Sequence, residues 1–194
     1  MLEFNQFEIV SFDCYGTLID WERGILPALP HLLSNRKIDF SDDGILELFA
    51  DFEAELENQK NHYIRYRDIL QETALKHKYK LAVISNIDDD LFAVTAKYLR
   101  VEFDWLITAK QVRSYKPSTR NFEIALETMG IPCEKLLHVA QSVYHDIVPA
   151  ASMGISTVWV NRRQDKTGLG ATLPASGQPD LEVPNLKTLV EVIG

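Results

Sequence analysis

The stretch Ile9-Val10-Ser11-Phe12-Asp13-Cys14-Tyr15-Gly16-Thr17-Leu18 decides the fold of this chain. A short, mostly apolar run that stops at a turn signal is typical of a buried strand, and Gly16 allows the tight turn behind it. Open α/β sheets bind ligands at the carboxyl ends of their strands. Because a buried carboxylate is unfavourable unless paired, Asp13 is either a catalytic group, with the Thr17 hydroxyl in reach, or a cap of the next helix. This stretch alone leaves both alternatives open.

Strand patterns alternate with helical ones along the rest of the chain, which predicts parallel βαβ units and an α/β fold. Strands are predicted at residues 8–13, 80–85, 104–108, 136–141 and 156–160, and helices at 88–99, 119–129, 143–153 and 186–193. Gly130 and Gly154 stand where a glycine ends a helix. Residues 162–185 are rich in Gly, Pro and polar residues, and we interpret them as a surface loop.

Charge and cysteine content narrow the range of partners. The net charge of -8 over 194 residues argues against nucleic acid and anionic membrane surfaces. A small anionic substrate remains compatible with this net charge, because a few cations near a binding site outweigh the electrostatic field of more distant acidic residues. Two cysteines, Cys14 and Cys133, give no disulfide framework, and we expect Cys14 to be a core thiol.

No targeting or membrane segment is predicted. Residues 1–5 lack the basic region and apolar run of a signal peptide. The longest uncharged stretch, residues 147–161, contains Pro149 and Gly154 and is too short and broken for a membrane span. We therefore expect a cytoplasmic protein.

Polar residues at successive strand ends give the chain a family resemblance. Asp13 is followed by Ser85-Asn86, Lys116-Pro117 and Asp146 in that order. This order resembles the haloacid dehalogenase (HAD) superfamily, and Asp-x-Tyr-Gly-Thr-Leu with Ser-Asn and Tyr-Lys-Pro downstream is similar to its type II L-2-haloacid dehalogenase branch. The resemblance implies a Rossmann-like core with a parallel sheet and a small helical cap insertion.

The resemblance also implies domain boundaries. The core would comprise residues 1–21 and 78–194, and the cap residues 22–77, which close over the nucleophile. About half of the family's usual cap is absent, because only residues 74–79 separate the cap's middle from the second strand. We expect either a homodimer packed through residues of about 45–75 or a mobile cap with weak activity.

Roles for individual residues follow from the resemblance. Asp13 would be the nucleophile, and Lys116 would keep it ionised and oriented. Thr17 would hydrogen-bond the Asp13 carboxylate, and Asp146 would pair with the lysine and position water. The substrate would be bound by the remaining motif residues, Tyr15, Ser85 and Asn86.

Two enzyme reactions and one non-enzymatic role remain open. The first reaction is hydrolysis of a short 2-haloacid through an aspartyl ester, without a cofactor. The second is Mg²⁺-dependent phosphoryl transfer, with Asp13, Asp146 and the Tyr15 backbone carbonyl as oxygen ligands. Against it, family phosphatases carry a second Asp at the position of Tyr15, and a phenol has an unperturbed pKa of about 10. The non-enzymatic role is that of a degenerate binding protein.

Other positions depart from the dehalogenase pattern. The halide-binding Arg of the cap corresponds to Ala50, and three further positions of the family's site also differ: Phe122, Gln141 and Val143. His145 is disfavoured as a metal ligand, because adjacent helical residues diverge by about 100°. We interpret Arg162 and Arg163 as solvated loop residues rather than an anion site.

Overall fold

The computed structural model describes residues 2–19, 75–99, 101–165 and 172–194. The strands are β1 (Ile9–Phe12), β2 (Lys80–Ser85), β3 (Trp105–Thr108), β4 (Leu136–Ala140), β5 (Ser156–Val160) and β6 (Leu181–Val183). The α-helices are α1 (Asp89–Leu99), α2 (Ala109–Val112), α3 (Arg120–Met129), α4 (Val148–Ser152) and α5 (Leu186–Ile193), with 3₁₀ turns at Phe4–Gln6 and Cys133–Lys135. A π-helical turn, Val143–Ile147, leads directly into α4.

The six strands within the described residues form one parallel sheet in the order β3-β2-β1-β4-β5-β6. The first strand therefore lies between β2 and β4, where the chain changes from building one side of the sheet to building the other. Such a switch point opens a crevice beyond the carboxyl ends of the strands. Asp13, which directly follows β1, is placed in that crevice. The sheet confirms the predicted α/β, Rossmann-like core.

The sheet is buried on both faces, which explains why its strands are nearly continuous apolar runs. One core cluster includes Val10 and Phe12 of β1 with Leu137 of β4 and residues of α5. The other includes Ile9 and packs β2 and β4 against α3. All four residues of β1 are buried, so the strand that carries Asp13 is held from both sides.

The predicted elements agree with the structure except in three places. The short helix α2 (Ala109–Val112) is not among the predicted helices. The predicted helix 143–153 consists of the π turn followed by α4. The interpretation of residues 162–185 as a surface loop is wrong at its end, because β6 lies there. It pairs with β5, with Val158 opposite Leu181 and Val160 opposite Val183. Three residues are too few for a periodic signal, and neighbouring Gly and Pro hide this edge strand.

The predicted cap lies almost entirely outside the described residues. Of residues 22–77, the structure describes 75–77, so neither the shortened cap nor the correspondence at Ala50 is tested. None of the helices in the described part of the chain has the length and apolar character needed to cross a bilayer.

Candidate active site

Asp13 continues β1 by one residue and is buried at the centre of the crevice. Its amide donates to the carbonyl of Val139 at 3.1 Å, which fixes the backbone against β4. The side chain is 7% exposed. Its Oδ1 accepts a hydrogen bond from Lys116 Nζ at 2.9 Å, and its Oδ2 accepts one from Thr17 Oγ1 at 3.0 Å. Both carboxylate oxygens therefore have fixed partners.

The loop after Asp13 turns back tightly. Gly16 has φ 94°, a conformation that side chains disfavour, and its amide donates to the Ile19 carbonyl at 2.7 Å. The turn brings the Thr17 hydroxyl over the carboxylate. The same hydroxyl accepts from the amide of Gln141 at 2.9 Å. Thr17 thus links Asp13 to the segment that follows β4.

Lys116 is 3% exposed and uses all three of its ammonium protons. They go to Asp13 Oδ1 at 2.9 Å, the Ile84 carbonyl at 2.9 Å and Asp146 Oδ1 at 2.5 Å. The lysine therefore lies between two carboxylates, and its charge compensates the burial of both.

The backbone of Lys116 is held by Asn86. The Asn86 side chain accepts from the Lys116 amide at 2.7 Å and donates to the Lys116 carbonyl at 3.0 Å. The peptide bond that joins Lys116 to Pro117 is cis. The side-chain amide of Asn86, expected to bind substrate, is thus engaged in positioning the lysine.

Asp146 enters the site from the π turn. Ser142 caps this turn by accepting from the His145 amide at 3.0 Å, and its carbonyl accepts from the Asp146 amide at 3.2 Å. Asp146 is 1% exposed. Its Oδ1 accepts from Lys116 and lies 2.9 Å from Nε2 of His138. His138 was not singled out from the sequence, where the sole signal is an imidazole within an apolar strand.

The three charged groups shift one another's pKa. Burial raises the pKa of Asp13, and Lys116 offsets this only in part while the charge of Asp146 adds to it. Burial also opposes ionisation of Asp146, but Lys116 and the hydrogen bond from His138 outweigh it and lower its pKa. Burial disfavours the charge of Lys116, yet the two carboxylates outweigh that effect and raise its pKa. Asp13 is therefore the carboxylate that protonates first as the pH falls.

The remaining predicted substrate-binding residues differ in whether their hydroxyl groups already have hydrogen-bond partners. Ser85, at the end of β2, is 3% exposed, and its hydroxyl has no hydrogen-bond partner among the described residues. The Tyr15 hydroxyl lies 2.7 Å from Thr95 Oγ1 of α1, and burial raises the pKa of this phenol. Ser85 is thus available to a ligand, whereas Tyr15 is engaged and remains protonated.

The interpretation of Arg162 and Arg163 as solvated loop residues is wrong. Arg163 is 8% exposed. Arg162 donates from Nε to the Gly16 carbonyl at 3.0 Å and from Nη2 to the Thr17 carbonyl at 2.6 Å. The sequence places these partners about 145 residues apart, so no local pattern reveals the contact.

Two other predicted features lie near the site. Cys14 is fully buried in the core cluster of β1. Nδ1 of His145 lies 3.1 Å from the Ser142 hydroxyl, and burial lowers its pKa. Cys14 is thus a core residue, as expected, and His145 is held within the π turn.

Comparison with known proteins extends these observations. A family model described as haloacid dehalogenase-like hydrolase matches residues 38–160. The (S)-2-haloacid dehalogenase of Pseudomonas sp. (strain YL) is 32% identical over 116 residues, 58% of this chain and 47% of that protein. Haloacetate dehalogenase H-2 of Moraxella sp. (strain B) is 26% identical over 194 residues, 97% of this chain and 80% of that protein. The chain thus spans about half the length of the first relative.

Two solved structures share the fold. One is an L-2-haloacid dehalogenase from Xanthobacter autotrophicus with chloropropionic acid covalently bound, with a TM-score of 0.70 and 19% identity over 96% of this chain and 98% of that one. The other is an HAD phosphatase from Thermococcus onnurineus, with a TM-score of 0.70 and 22% identity over 97% and 98% of the two chains. At these identities the likeness establishes the fold and leaves the reaction to be argued from the site.

Proposed function

The chain belongs to the haloacid dehalogenase-like hydrolase family, and from this premise we propose that it hydrolyses short 2-haloacids through an ester formed on Asp13. The observation that carries the proposal is the arrangement of Asp13 between Lys116 Nζ and Thr17 Oγ1, with Tyr15 rather than an acid two residues later. A fixed, buried carboxylate is suited to nucleophilic catalysis.

In the first step an oxygen of Asp13 attacks the carbon that bears the halogen. A carbon–oxygen bond forms as the carbon–halogen bond breaks, and the halide leaves with the bonding electron pair. Lys116 and Thr17 hold the carboxylate for attack, and burial excludes the water that would otherwise solvate it. The carboxylate nucleophile becomes a neutral ester.

In the second step water attacks the ester carbonyl carbon of Asp13. Asp146 takes the proton from that water, and the bond from the carbonyl carbon to the substrate oxygen breaks. The departing hydroxy acid takes up that proton. Asp13 keeps the oxygen of the water and releases the second proton as it returns to a carboxylate. The sum of both steps converts a haloacid and water into a hydroxy acid, a halide ion and a proton.

Substrate recognition rests on Ser85. Its buried hydroxyl has no partner among residues 2–19, 75–99, 101–165 and 172–194, and an unpaired buried hydroxyl is unfavourable. A substrate carboxylate would accept a hydrogen bond from it and from nearby backbone amides. The proposed partner is accordingly a small anionic molecule.

The rival reaction is phosphoryl transfer with Mg²⁺. Two carboxylates, Asp13 and Asp146, with the Tyr15 carbonyl are suitable oxygen donors for that ion, which would neutralise phosphoryl charge. Lys116 already lies within 2.9 Å of both carboxylates. No acid would protonate the leaving group from position 15, because Tyr15 stands there and its hydroxyl is engaged with Thr95. These contacts favour dehalogenation without a cofactor.

A screen of halide and phosphate release, with and without EDTA, separates the two reactions. We expect halide release from 2-chloropropionate to persist in EDTA, because displacement on carbon has no phosphoryl charge to neutralise. Asp13→Asn serves as the inactive control. Phosphate release that EDTA abolishes and Mg²⁺ restores, without halide release, would establish the rival reaction. Absence of both would leave the non-enzymatic binding role.

A further inference from the structure

His138 occupies an unusual place for a polar side chain. It lies in the middle of β4, fully buried, and its register partner on β1 is Ser11, which is also fully buried. Nδ1 of His138 lies 2.8 Å from Ser11 Oγ, and Nε2 lies 2.9 Å from Asp146 Oδ1. The edge of the Phe122 ring packs against the imidazole with centroids 4.9 Å apart. A buried chain of hydrogen bonds thus runs from Ser11 on β1 through His138 on β4 to Asp146 in the π turn.

The hydrogen bonds to Asp146 determine which of its two oxygens is left to bind a ligand. Lys116 and His138 both contact Oδ1, and in the described part of the protein Oδ2 receives no hydrogen bond. A carboxylate only accepts, so the proton of this contact belongs to Nε2 of His138. Two donors from different directions on one oxygen fix the plane of the carboxylate and leave the other oxygen to a ligand.

We infer that His138 is a positioning residue that turns Oδ2 of Asp146 toward the water that hydrolyses the ester. This inference rests on the proposed function. The centre of a buried parallel strand favours β-branched apolar side chains, and Ser11 and His138 both depart from that rule. Ser11 and His138 are hydrogen-bonded to each other, and His138 is also hydrogen-bonded to Asp146. The contact with Asp146 accounts for polar residues at these two buried positions.

The inference assigns His138 to one step of the reaction. Displacement of halide by Asp13 transfers no proton and makes no use of Asp146 Oδ2. Attack of water on the ester does use it, because Oδ2 accepts the proton as the water oxygen bonds to the carbonyl carbon. Loss of His138 should therefore slow the second step and leave the first nearly unchanged.

Rapid-quench kinetics with 2-chloropropionate tests this separation. We expect His138→Leu to release about one halide per enzyme at the wild-type rate and then to turn over at least tenfold more slowly. General-base catalysis typically contributes roughly 10²–10⁴-fold, so a misplaced base loses part of that range. Intact-protein mass spectrometry should show the ester accumulating, and mass spectrometry of the digested protein should place it on the peptide that contains Asp13. His138→Gln, whose amide can donate from nearly the position of Nε2, should restore most of the turnover.

Leu136→Ala is the matched control. Leu136 is fully buried on the same strand and belongs to the core cluster against α3, and its truncation destabilises the fold without touching Asp146. We expect its halide burst and its turnover to fall together or not at all.

The outcomes separate the inference from the proposed function. If wild-type protein releases no halide and forms no ester, the proposed function fails and the inference fails with it. If wild-type protein turns over but His138→Leu slows both steps in equal proportion, as Leu136→Ala does, His138 is a core residue and only the inference fails. Unchanged turnover in His138→Leu has the same meaning.

Discussion

At the scale of single residues, the site combines two carboxylates with one ammonium group inside the protein. Such a cluster is unfavourable unless every charge is paired, and Lys116 provides that pairing with its three donors. The compensation is unequal. Both carboxylates accept from Lys116, but the second partner of Asp146 is His138, whereas that of Asp13 is the hydroxyl of Thr17. Asp13 therefore has a raised pKa and Asp146 a lowered one.

Asp13→Asn should abolish turnover, because an amide is a poor nucleophile. The raised pKa of Asp13 means that its ionised form opposes folding above that pKa. At pH 7 the neutral amide should therefore leave the melting temperature equal or higher. Calorimetry measures this, and a Tm well below wild type would show that the charge of Asp13 stabilises the fold.

Single turnover in ¹⁸O-labelled water tests the covalent step with wild-type protein. The oxygen entering the first hydroxy acid should come from Asp13 and therefore be unlabelled, and Asp13 itself should become labelled. Mass spectrometry of product and peptide reads both positions. Label in the first product would mean that water attacks the substrate directly.

Lys116→Ala should move the acid limb of the kcat/KM profile to higher pH. Activity requires ionised Asp13 and is lost as the pH falls through its pKa. Removing the neighbouring positive charge raises that pKa further. Lys116→Arg retains the charge, so its acid limb should shift less even if its geometry is impaired. An acid limb in the Ala variant that coincides with wild type would show that Lys116 does not control the ionisation of Asp13.

At the scale of elements, two segments orient the site. The π turn Val143–Ile147 brings Asp146 inward while leaving His145 half-buried, and such turns occur often at functional sites. The loop after β1 is fixed by Arg162, which is the second residue beyond β5 and donates to the carbonyls of Gly16 and Thr17. These contacts keep the Thr17 hydroxyl over Asp13.

Arg162→Lys should lower kcat clearly while changing the melting temperature little. A single ammonium cannot reproduce the fork that reaches two carbonyls, and a hydrogen bond to a charged group contributes roughly 1.5–3 kcal/mol. Partial loss of that restraint should reduce kcat about tenfold. Lys187→Arg on the exposed face of α5 is a control in which Lys and Arg are exchanged, with the charge kept, away from the loop after β1. Equal kcat in the Lys and wild-type proteins would remove Arg162 from the positioning of the loop.

At the scale of the whole molecule, the switch point of the sheet assembles residues from four separate segments. Ser85 is the last residue of β2, and Asp13, Lys116 and Asp146 lie in the segments that follow β1, β3 and β4. Because one edge of the sheet collects them, a change of reaction within this fold requires few substitutions. The replacement of an acid by Tyr15 is of that kind.

The state of association also belongs to this scale. The apolar residues Ile69 and Leu70 fall in the segment expected to form a shortened cap, which would have little of its own to cover them, and exposed apolar patches mark association sites. We therefore predict either a homodimer through residues of about 45–75, which lie outside the described part of the chain, or a mobile cap with weak activity. In the first case, sedimentation equilibrium should show a dimer that Leu70→Glu dissociates. A monomer with full activity would contradict this prediction.

The sequence by itself determined the parallel α/β core and which residues end its strands. Apolar runs and the polar residue that stops each run are local features, so Asp13 and Ser85 could be picked out without coordinates. The resemblance to the family added Lys116 and Asp146. Only the tertiary structure decided how these groups are held. The contacts of His138 with Ser11 and of Arg162 with the loop at Gly16 join residues 127 and 146 positions apart. Such contacts depend on strand order and register, and no local pattern encodes a partner so distant.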